Sequence, residues 1–82
     1  MYESADDVMR AEALFASDLQ ESDSICSESV VHTVERVLDR EGPGSCAARM
    51  AYEFGEHPDA AARRMAWARH LISKALRSSP TA

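Results

Sequence analysis

The sequence predicts a small all-α protein, a compact bundle of about four helices. Three observations carry that prediction. Apolar residues recur at intervals of three and four, the period of an amphipathic helix. The periodic stretches are separated by recognisable interruptions: the Ser-rich QESDSICS at 20–27, Gly42-Pro43-Gly44, and the Gly55–Pro58 turn. No stretch keeps the strict apolar–polar alternation of a half-buried strand.

The first helix is expected from Ser4 through Leu19. Ser4 serves as its N-cap with Asp7 three residues on, and Asp6 and Asp7 suit the positive end of the helix dipole. Val8, Ala11, Phe15 and Leu19 would form its buried face. The second helix covers SESVVHTVERVLDRE. Its β-branched residues favour a strand, but Val30, Val31, Val34, Val37 and Leu38 share an arc of about 120° on a helical wheel. Gly42-Pro43-Gly44 then breaks the chain.

A short third helix, SCAARMAYEF, is expected with Ser45 as its cap and Gly55 as its left-handed closing residue. Cys46, Ala47, Met50, Ala51 and Phe54 would share its inner face. The fourth helix opens at Pro58, a residue suited to a first helical position, and runs to Leu76. Ala61, Met65, Ala68, Ile72, Ala75 and Leu76 make its apolar arc. Arg63, His70, Lys74 and Arg77 lie opposite, and Trp67 falls at the polar edge, where it is either covered by the first helix or presented to a partner. Residues 1–76 are read as one domain and 77–82 as a frayed tail.

Composition limits the function classes. Apolar content of 45% with 28% charged residues suits a folded domain, and no apolar run approaches the roughly 18 residues of a membrane span. MYESADDVMR opens acidic without an apolar segment, so a cytoplasmic location is expected. Cys26 and Cys46 form no CxxC and are expected to be reduced thiols. His32, His57, His70 and the two cysteines lack metal-ligand spacing, GPGSC lacks the lysine of a phosphate loop, and no nucleophile–base–orienter set is apparent. Neither an enzyme nor a cofactor is expected.

Charge is distributed unevenly. Residues 1–44 hold eleven Asp and Glu against three Arg, a net of −8, while residues 45–82 hold three acids against five Arg and one Lys, a net of +3. Such a dipolar chain suits a charged partner or head-to-tail association with itself.

ALFASDLQ (13–20) and GSCAARMAYEFGEHPDAAARRMAWAR (44–69) resemble a family of short, largely uncharacterised bacterial proteins. Its pattern runs ALF-S-LQ-S, then GCA…EFG-HP…RM-WA. The chain departs from that pattern at Ser45 and in its acidic Ser-rich loop. The resemblance carries no activity; it implies that the Gly55–Pro58 turn and Trp67 are family features.

The functional expectation is a small regulatory or adaptor protein acting by protein–protein binding. His57, Arg63, Trp67, His70 and Lys74 form the expected contact surface, with the cations steering an acidic partner and Trp67 as anchor. A homodimer is one way to use that surface. The alternative is a helix-turn-helix DNA-binding regulator over residues 45–72, with a positive-φ Gly55 in its turn and Arg63 and Arg64 near DNA.

Overall fold

The computed structural model describes residues 5–78, which hold three helices and no strand. α1 spans Ala5–Ala16, α2 Ser27–Glu56 and α3 Pro58–Ser78. The expected second and third helices are therefore joined in α2. The joint is still marked: Gly42 alone leaves helical geometry, at φ 84° and ψ 156°. A residue before proline is driven out of the α region, and only glycine adopts that extended conformation with positive φ at low cost. Pro43 then opens the second segment as its first residue, so Ser45 sits inside the helix and does not cap it.

The next break also differs from expectation. Gly55 lies within α2 and its φ is not positive, whereas His57 (φ −139°, ψ 68°) interrupts the chain. The cause is again the residue before proline, here His57 before Pro58. The His57 amide donates to the Glu53 carbonyl at 2.7 Å, and the His57 carbonyl accepts from the Ala61 amide at 2.8 Å. One residue thus closes α2 and opens α3. Ser4, the expected cap of α1, and residues 79–82 of the tail lie outside the described residues, as do the side chains of Leu76 and Arg77.

Each helix packs against the other two. The core joins Ala11, Ala13, Leu14 and Ala16 of α1 to Val30, Val34, Val37 and Cys46 of α2 and Ala68, Ile72 and Ala75 of α3. Its many alanines let the helix axes approach closely. The buried arc of α1 is wider than its sequence suggests, because two helices cover it. Leu14 is fully buried, whereas Val8 is 42% exposed and Leu19 falls beyond the helix end. In α2, Val31 is exposed and Thr33 is buried. Along its second segment Cys46 is buried, but Ala51 is exposed and Phe54 is 37% exposed.

The three glycines should respond differently to alanine. At Gly42 the positive φ makes any side chain strained, and Gly42→Ala is expected to cost about 1–3 kcal/mol. A Cβ at Gly44 or Gly55 meets no atom within 4 Å, so alanine there should stabilise by roughly 0.5–1 kcal/mol. Urea midpoints of the three variants check both signs.

Candidate functional site

Among the expected contact residues, Arg63, Trp67, His70 and Lys74 follow one another along α3 at spacings of four, three and four. That places them on a single strip of one continuous helix. Arg63, His70 and Lys74 are exposed, and none of the three forms an ion pair or hydrogen bond among the described residues. His57 is exposed as well, but stands apart from the strip at the α2–α3 corner. Residues 58–78 carry five basic side chains against Asp59 alone, so the positive charge of the back half belongs to α3.

Trp67 is less free than its neighbours. It is half-buried and packs against the core, and the Arg64 guanidinium lies 4.8 Å from its ring centroid. Trp67→Ala would therefore disturb packing as well as any contact surface. Substitutions at Arg63 and Lys74 test the surface more cleanly.

Arg64, next to the strip, points the other way. Its Nε donates to the Phe15 carbonyl at 2.8 Å and its Nη2 to the Ser17 carbonyl at 2.9 Å. The guanidinium also sits 5.7 Å from the Phe15 ring centroid, and the Phe54 ring stacks on Phe15 with centroids 6.3 Å apart. Arg49 of α2 adds Nη1 to the Ala16 carbonyl at 3.2 Å. The end of α1 needs this help because it has no basic residue in its last turn, and the last carbonyls of any helix lack intrahelical partners. Ser17 covers Leu14 locally, through its amide at 3.1 Å and its hydroxyl at 2.6 Å. Burial holds the Arg64 guanidinium below the usual arginine range, opposed by the charge of Glu21. The cleft beside this end, about 360 Å³, is lined by Phe15, Gln20, Arg49, Glu53 and Arg64. Both of its arginines are engaged with backbone carbonyls.

The α2–α3 corner departs from helix-turn-helix geometry. A single residue, His57, separates the helices, and the expected positive-φ glycine is absent from the turn. Ala51, expected on the inner face that would pack against the following helix, is exposed. Arg64 is committed to α1 and not to the outer face.

No three His, Cys, Asp or Glu side chains among the described residues converge to hold a metal ion. No described helix is long and apolar enough to cross a membrane. No protein-family model, curated protein or solved structure matches the chain.

The two thiols occupy opposite environments. Cys26 precedes α2 and is exposed, and its Sγ lies 3.3 Å from the Ser29 hydroxyl. That hydrogen bond draws the Cys26 thiol below its usual range, while burial pushes the Cys46 thiol up. Near neutral pH, maleimide should therefore label Cys26 well before Cys46, and Ser29→Ala should slow labelling at Cys26 alone. Mass spectrometry of the timed products checks the order.

Proposed function

We propose that the protein acts by binding, as a small non-enzymatic regulatory or adaptor protein of the cytoplasm whose partner presents an acidic surface. The observation that supports this most directly is the unpaired strip Arg63–His70–Lys74 on α3, within a chain whose net charge is −5. Cations left exposed along one helix face, with no internal carboxylate engaging them, favour encounter with a negative surface. The half-buried Trp67 supplies apolar and aromatic area in the middle of the strip, and aromatic residues beside arginine are frequent at binding hot spots.

DNA binding is the less favoured reading. A duplex would attract the same cations, but the one-residue corner offers no turn to seat a recognition helix, and Asp59 at the start of α3 would face phosphate.

Trp67 is the chain's single tryptophan, so its emission reports on the strip directly. An acidic model peptide, such as a glutamate-rich helix, should shift that emission at low salt and lose its effect as salt screens the charges. Arg63→Glu with Lys74→Glu should remove the response while leaving the urea midpoint within about 0.5 kcal/mol of wild type, because both side chains are exposed. A random duplex that bound with Kd of roughly 10⁻⁴ to 10⁻⁶ M while the peptide did not would favour DNA instead.

A further inference from the structure

The basic strip of α3 has a counterpart on α2. Glu28, His32, Glu35 and Asp39 are all exposed, and they follow one another at spacings of four, three and four. This is the spacing of Arg63, Trp67, His70 and Lys74. On a helical wheel the α2 strip lies opposite the buried Val30, Val34 and Val37, so it faces fully outward. Glu28, Glu35 and Asp39 form no ion pair among the described residues.

We infer that the occupant of the basic strip is the acidic strip of a second copy of this chain, with the two helices side by side and parallel. This rests on the binding role proposed for α3 and names its partner. In that register Glu28 meets Arg63, Glu35 meets His70 and Asp39 meets Lys74, while His32 lies against the edge of Trp67. Every carboxylate then faces a basic side chain over about 16 Å of helix, at 1.5 Å per residue. The antiparallel register fails: it sets Asp39 on Arg63 and Glu28 on Lys74, but leaves Glu35 against Trp67 and His70 against His32. Asp59, one turn before Arg63, would fall beyond the start of α2 and oppose no carboxylate. Arg36 and Arg40 flank the acidic strip, and Arg40 is already paired with Glu41 at 3.5 Å.

Because the two strips lie on different helices, each molecule offers one donor and one acceptor face, and the contact is heterologous. Four residues a side is a small interface, so the association is weak and strongly dependent on salt.

The test is sedimentation equilibrium of the full chain from about 20 µM to about 1 mM, at roughly 0.02 M and 0.5 M salt. Two charge-reversed variants accompany it. One carries Glu28→Lys, Glu35→Lys and Asp39→Lys; the other carries Arg63→Glu, His70→Glu and Lys74→Glu. Wild type should self-associate at low salt and weaken at least about tenfold at high salt, as charge screening requires. Each variant alone should be monomeric, and an equal mixture should associate again, because one now bears two basic strips and the other two acidic ones. Circular dichroism of each variant verifies that it is folded. A wild type that stays monomeric throughout overturns the inference, as does a mixture that fails to associate while wild type does. Either result leaves the acidic-peptide response of Trp67 as a separate reading, so loss of the second copy is distinguishable from loss of the binding site.

Discussion

The end of α1 is held by a side chain 49 residues away. Arg64 donates to the carbonyls of Phe15 and Ser17 and lies against the rings of Phe15 and Trp67. One planar group meets several demands at once: two backbone acceptors without helical partners, the negative end of a helix dipole, and two aromatic faces. Lysine could not meet them together, since its ammonium is a point charge without a fork. With Arg49 on Ala16 and Ser17 on Leu14, the final turn of α1 is satisfied largely from outside itself. A twelve-residue helix is marginal alone. This helix depends on α2 and α3 to define where it stops.

That constraint orients α3. Arg64 turns inward with Ala61, Ala68, Ile72 and Ala75, which fixes the opposite strip of Arg63, His70 and Lys74 toward solvent. Adjacent arginines therefore have different tasks. One side chain stabilises the fold, and its neighbour, about 100° round the helix, faces solvent. Trp67 lies between the two, half-buried, with its ring against Arg64. The half-buried and the solvent-facing cations thus share one helix without sharing roles in the fold.

Much of the fold was legible because its signals are local. The helical period of the Val30–Val37 stretch, the break at Gly42-Pro43 and the start at Pro58 all follow from short-range geometry. Gly55 misled because a glycine before His-Pro satisfies the sequence rule for a closing residue, while Pro58 in fact acts on His57. The face of α1 was misread for a different reason. Two partner helices bury a wide arc, which brings in Ala13, Leu14 and Ala16 and leaves Val8 at the edge. That Arg63, Trp67, His70 and Lys74 share one strip could be read from their spacing, since they lie on one helix. The roles of Arg64 and Arg49 could not, because they depend on which helix end the folded chain brings near them. The only trace in the sequence is negative: ALFASDLQ contains neither a glycine nor a basic residue to finish α1.

The most direct measurement compares urea unfolding and α1 amide exchange in wild type, Arg64→Lys and Arg64→Met. Each hydrogen bond from a charged donor contributes about 1.5–3 kcal/mol, so both variants should lose on the order of 2 kcal/mol or more, with α1 amides losing protection first and lysine giving little rescue. Wild-type midpoints and unchanged α1 protection in both variants would show that α1 ends without Arg64, and that α3 is oriented by its apolar face alone.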